Sequence, residues 1–203
     1  MESDSYKTIR STSQGIFKEK GSRFIAIAYP VSDQKEIKPI IDALKKEHHE
    51  ARHHCFAYML GKEREIWRVN DDGEPSGTAG RPILGQINSA ELTNILIVVI
   101  RYFGGTLLGV SGLINAYKSA AALAIENAEV IELTMQEFYE ICYPFISMND
   151  VMKILKEENV SKSEQSFDLE CSIKINFREA AKEKILNRLS RVEGLRYTFL
   201  ETR

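Results

Sequence analysis

Apolar and polar side chains alternate through residues 16–20, a Gly21-Ser22 pair follows, and an apolar-rich run extends from Arg23 to Tyr29 before Pro30. This pattern predicts a β-hairpin, since a period of two puts every second side chain on one face of a sheet. Ile37, Ile40, Ile41 and Leu44 then recur at helical spacing behind Asp33, a suitable N-cap, with Pro39 near the first turns. The expected element is an amphipathic helix with one face on the sheet. Residues 55–60 and 65–69 flank a connection containing Gly61 and read as a second strand pair, ending in the loop Asn70-Asp71-Asp72-Gly73-Glu74-Pro75-Ser76-Gly77. A helix is expected over residues 78–88. Residues 92–100 are a nearly unbroken aliphatic run, as in a strand buried on both faces, which places the centre of the sheet there. After the glycine-rich residues 104–112, residues 113–128 are rich in alanine and aliphatics without proline and predict a helix buried over much of its surface.

From Glu137 the pattern reads strand (138–143), helix (149–158), two strands within 166–177, helix (180–192) and strand (196–200). The predicted fold class is α+β, with a first domain at residues 1–133 and a second, βαββαβ domain of ferredoxin-like order at residues 134–203. No proline- or serine-rich linker, repeat or low-complexity tract separates the two, so a short connection is expected.

Composition adds limits. A hydrophobic fraction of 43% with 28% charged residues suits folded cores rather than disorder. Lys+Arg number 27 against 29 Asp+Glu, so any RNA-binding surface must be local rather than a global basic excess. From Met135 onward there are 11 basic and 12 acidic residues, so neither half is a charged tail. Cys55, Cys142 and Cys171 are far apart and form no C-x-x-C pair, which argues against a disulfide framework or thiolate zinc site and for a reducing compartment. The polar start MESDSYKTIRSTSQG lacks the features of a secretory signal, and no apolar run approaches membrane-spanning length; a cytoplasmic protein without a membrane partner is expected.

Three segments could carry chemistry. In the first, Asp71, Asp72 and Glu74 crowd a turn before a helix start, with Gly77, Gly80 and Arg81 following. Packed carboxylates suit a divalent metal, and free N–H groups beside Arg81 suit a phosphate; the structural alternative is helix capping and turn formation. The second runs from a buried strand into a helix and contains Arg101, Tyr102, Phe103, Gly104, Gly105, Gly109, Ser111 and Gly112. Its glycines admit a close ligand, Arg101 could hold a phosphate, and the aromatics could stack a base; the alternative is close packing alone. The third holds all four histidines, with an H-E-x-x-H string from His49 to His53. A zincin needs both histidines on one helix, whereas here a helix ends and a strand begins, so the string reads as accidental. Cys55, in an apolar strand, reads as core rather than nucleophile.

Taken in order, KGSRFIA, ARHHCFAYML, NDDGEPSGTAGRPIL and RYFGGTLLGVSGLINAYKSAA resemble the signature segments of the IMPACT family, in its YigZ-like bacterial branch. The resemblance is strong over residues 20–122 and weaker beyond. It implies a first domain like the second domain of ribosomal protein S5 and a ferredoxin-like second domain, both similar to late domains of the ribosomal translocase elongation factor. It also implies a link to translation, by analogy of fold. Eukaryotic members carry an added amino-terminal RWD domain and modulate a starvation-responsive translation kinase through its activator; this chain is expected to lack that domain. Ser111 stands where members usually have glycine, and Asn115 where they usually have lysine or arginine.

The leading expectation is a non-catalytic binding protein for RNA or the ribosome, using Arg52, His53, Arg81, Arg101, Tyr102 and Lys118, with the glycines and Ser111 of the second segment forming the rest of the site. A rival is an enzyme acting on a nucleotide or small phosphorylated substrate, with a metal on Asp71, Asp72 and Glu74. A third is a regulatory module whose second domain meets a protein partner. No cofactor beyond that candidate metal is expected.

Overall fold

A short strand, β1 (Ser5–Ile9), precedes the hairpin that the alternation predicts, formed by β2 (Ser13–Glu19) and β3 (Ser22–Pro30). The computed structural model describes residues 4–168 and 170–202; residues 1–3, Leu169 and Arg203, which fall within the expected domains and strand pair, lie outside the described residues. Helix α1 (Gln34–Glu47) starts at Asp33, which accepts a hydrogen bond from Lys35 N while Glu36 reaches back to the Asp33 N–H, completing a capping box. Then come β4 (His53–Leu60), β5 (Ile66–Asn70), α2 (Gly80–Ser89), β6 (Ile95–Tyr102), α3 (Gly109–Glu126) and β7 (Val130–Thr134).

The five-stranded sheet has the order β2-β3-β6-β4-β5, and all neighbours are antiparallel. The aliphatic run is its middle strand, buried on both sides. Ile95, Ile97 and Val99 face α2 and α3 in one core, while Leu96, Val98 and Ile100 face Ile37, Ile41 and Leu44 of α1 in another. β1 and β7 pair in a separate two-stranded sheet that the sequence reading did not foresee.

Two boundaries differ from expectation. Helix α3 begins at Gly109, so Gly109, Ser111 and Gly112 belong to its first turns rather than to a loop. Burial of Leu113, Ala116 and Tyr117 against the sheet outweighs the poor helix propensity of two glycines. In the second half, the first of the two expected strands is β9, which runs from Ser161 to Ser166 and so ends where the reading placed its start.

At Gly104 the backbone passes so close to the β2–β3 turn that an added Cβ would lie 1.9 Å from Gly21 C and 2.1 Å from Ser22 N. Both obstacles are main chain, so relief requires the segments to separate. Gly104→Ala is expected to lower stability by roughly 1–3 kcal/mol, read as a lower denaturation midpoint.

Residues Tyr6–Leu133 form one compact unit; Thr134 onward forms another, with which Asp4 and Ser5 group. The second unit contains β8 (Gln136–Pro144), α4 (Met148–Glu157), β9 (Ser161–Ser166), β10 (Glu170–Arg178), α5 (Lys182–Leu189) and β11 (Arg196–Thr202). Its sheet, ordered β11-β8-β10-β9, is antiparallel throughout. One face carries Tyr139, Ile141, Tyr143, Ile173 and Ile175 into a core closed by Val151, Ile154 and Leu155 of α4 and Ile185 and Leu189 of α5. Asp4 accepts hydrogen bonds from Arg178 Nη2 at 2.6 Å and Nε at 3.1 Å. The chain is thus a mixed α/β protein built on several sheets.

Candidate functional site

The loop between β5 and α2 is organised by its own carboxylates. Asp71 Oδ2 accepts from Gly77 N at 2.8 Å, and Oδ1 accepts from Ala79 N at 3.0 Å and Gly80 N at 2.8 Å. Asp71 therefore caps α2, whose preceding residue, Ala79, has no side chain able to do so. Asp72 Oδ2 accepts from His54 N at 2.7 Å, and its Oδ1 lies 3.2 Å from Lys45 Nζ.

Glu74 reaches the opposite way. Its Oε1 accepts from Arg101 Nη1 at 2.7 Å and from Tyr117 Oη at 2.8 Å. Glu74 and Arg101 side chains are only 4% and 7% exposed, so this is a buried ion pair, with each charge tolerated because of the other. Cys55 Sγ lies 3.0 Å from the Asp71 carbonyl and 3.3 Å from Tyr117 Oη. Burial pushes up both the Cys55 thiol and the Tyr117 hydroxyl.

In front of this pair lies a cavity of about 450 Å³, lined by Arg52, His53, Glu74, Pro75, Arg101, Phe103, Leu107, Leu108, Gly109, Val110 and Leu113. Its volume falls in the range of sites for small organic groups. The wall is mostly apolar, and several of its side chains are open to solvent, among them Phe103 at 55% exposed, Leu107 at 82% and Val110 at 60%. Arg52 is also exposed and makes no ion pair with the described residues. His53 is held by a 2.9 Å hydrogen bond between Nδ1 and the Asp72 carbonyl.

Of the residues singled out in the sequence, Arg52, His53, Arg101 and Gly109 come together here. Arg101 serves differently from expectation: its charge is matched by Glu74, and Phe24 and Phe103 flank it, with ring centroids 5.5 and 5.6 Å from the guanidinium carbon. Tyr102 is not part of this cavity. Strand alternation turns it to the α1 side, where its hydroxyl meets His48 Nδ1 at 2.8 Å and Arg23 covers its ring. Arg81, on α2 beside Asp71, and Lys118, on the exposed side of α3, do not line the cavity. Neither do Gly104, Gly105, Ser111 and Gly112; Gly104 instead packs on Gly21, and Gly105 has φ 86°.

The three carboxylates do not converge. Asp71, Asp72 and Glu74 each bond different partners, and no group of three or more His, Cys, Asp or Glu side chains able to hold a metal ion occurs among the described residues. His49 follows the end of α1 and His53 opens β4, so the two histidines of the H-E-x-x-H string share no helix.

Reading missed two members, Glu74 as a counter-ion and Tyr117. A signal for the first existed: Arg101 directly continues an apolar strand, and a charge there requires a buried opposite charge. Tyr117, followed by Lys118 and Ser119, gave no comparable cue.

Residues 20–125, which include every residue lining the cavity, match the family described as the Impact N-terminal domain. The chain is 32% identical over 186 residues to the IMPACT family member YvyE of Bacillus subtilis, an alignment covering 92% of this chain and 84% of that protein. It is 41% identical over 110 residues to the IMPACT family member YigZ of Escherichia coli, covering 53% and 54% of the two chains. A crystal structure of a hypothetical protein superposes with a TM-score of 0.71 at 26% identity, covering 97% of this chain and 98% of that one. Family segment, full-length relative and shared fold agree, and the chain belongs to the IMPACT family.

Proposed function

We propose that the chain is a cytoplasmic, translation-related binding protein that associates with RNA, free or on the ribosome, and performs no catalytic step. In this reading the first unit is like the second domain of ribosomal protein S5 and the second is ferredoxin-like; the antiparallel order β11-β8-β10-β9 over two helices supports the latter. One observation carries the functional reading: an exposed aromatic ring, Phe103, and an exposed arginine without an ion-pair partner among the described residues, Arg52, border the same cavity. A single RNA strand offers a partner for each, the face of an unstacked base and a phosphate. Arg81 and Lys118, both exposed, would extend phosphate contacts beyond the cavity.

The groups behind the cavity favour binding over turnover. The Cys55 thiol is buried and its acidity reduced, and the Arg101 and Tyr117 side chains both donate to Glu74. The metal-dependent enzyme loses its motivation once the three carboxylates are separately engaged.

Arg52→Ala tests the reading without touching the core. Affinity for a single-stranded oligoribonucleotide, measured by fluorescence anisotropy across a salt series, should fall, and the slope of log K against log salt should shrink by about 1. An unchanged slope and affinity would remove the RNA assignment.

A further inference from the structure

We infer that the cavity reads one unpaired guanine of an RNA strand, an inference that rests on the RNA-binding reading above. Glu74 is buried at the cavity, yet both of its hydrogen bonds fall on Oε1; Oε2 accepts none from the described residues. That oxygen is free to accept, and a ligand N–H placed there would form a charge-assisted hydrogen bond. His53 supplies a second acceptor. Its Nδ1 faces a carbonyl, which can only accept, so Nδ1 carries a proton, and in the tautomer with that one ring proton Nε2 keeps its lone pair.

Two acceptors in an apolar-walled cavity call for a planar group with more than one N–H donor. Guanine presents two adjacent donors on its Watson–Crick edge, the N1–H and the 2-amino group; adenine, cytosine and uracil each present one donor group there. Phe103 provides a face for stacking, and Arg52 provides a cation for the attached phosphate. A free amine is a poorer match, because Arg101 already offsets the charge of Glu74 and Arg52 stands beside the opening.

The test is fluorescence anisotropy of the full chain with labelled uridine-rich nonamers whose central base is guanine, inosine or adenine. Inosine lacks only the 2-amino group, and its oligomer should bind about tenfold more weakly than the guanine one, the loss expected for one charge-assisted hydrogen bond. Glu74→Gln replaces a carboxylate oxygen with an amide donor and should abolish the guanine preference. Should that variant fail to fold, the inosine comparison on the unaltered chain still decides. Equal affinity for all three oligomers would overturn the guanine assignment and leave the RNA reading standing, whereas no binding to any of them would overturn both. Tighter binding to spermidine, in competition with the guanine oligomer, would assign the cavity to an amine instead.

Discussion

Glu74→Ala should destabilise the first unit by about 3–5 kcal/mol, the largest loss expected of any single change near the cavity. The truncation leaves the guanidinium of Arg101, 7% exposed, without its counter-charge and leaves the Tyr117 hydroxyl without an acceptor. Arg101→Met should cost a similar amount by stranding the carboxylate. Combining Glu74→Leu with Arg101→Met should recover much of either loss, because two apolar side chains need no mutual compensation. Urea denaturation followed by circular dichroism measures all of these. A double variant as unstable as the worse single one would mean that lost packing, not an unpaired charge, sets the penalty.

The second large effect belongs to Asp71. Burial by itself raises the pKa of this carboxyl, but the N–H groups of Gly77, Gly80 and Ala79, with Arg81 nearby, outweigh it and hold the group below the ordinary carboxylate range. A depressed folded-state value stabilises the fold above the unfolded carboxylate value of about 3.9, and the contribution is lost as pH falls through the lower folded value. Asp71→Asn removes the charge and turns an NH₂ group toward at least one of the three donors. The expected cost near neutral pH is about 2–3 kcal/mol. Denaturation midpoints measured from pH 7 to 3 should fall for the native chain more steeply than for the variant. An acid limb of equal steepness in both would assign it to a different carboxylate.

These two residues also mark what was legible in the sequence. The sheet centre, the hairpin and the capped first helix follow from local signals: an aliphatic run, alternation around Gly21, and Asp33 with Glu36 three residues on. β1 and β7 were not legible, because each is five residues long and its partner lies more than a hundred residues away, with no turn to announce the pairing. β9 was misplaced because Ser161–Ser166 is wholly polar; its pairing with β10, not its own side chains, makes it a strand. At the site, Arg52, His53 and Arg101 were recognised as neighbours, and β4 and β6 do place His53 opposite Arg101. Tyr102 was grouped with them although strand alternation sends adjacent residues to opposite faces. The carboxylates were noticed as a cluster, but their division among three sets of partners depends on backbone turns such as Asp72 at φ 39°, which composition does not encode.

The bond from Arg178 to Asp4 joins residues 174 positions apart within one compact unit. During synthesis at roughly 5–20 residues per second, about 10–30 s pass between the appearance of the acceptor and that of its donor. Residues Tyr6–Leu133 are all made within that interval and can fold while Asp4 still waits. The second unit, by contrast, is completed by an early and a late part of the chain. A fragment beginning at Thr134 would omit Asp4, leave Arg178 without this carboxylate and expose the Met135 N–H that donates to the Asp4 carbonyl.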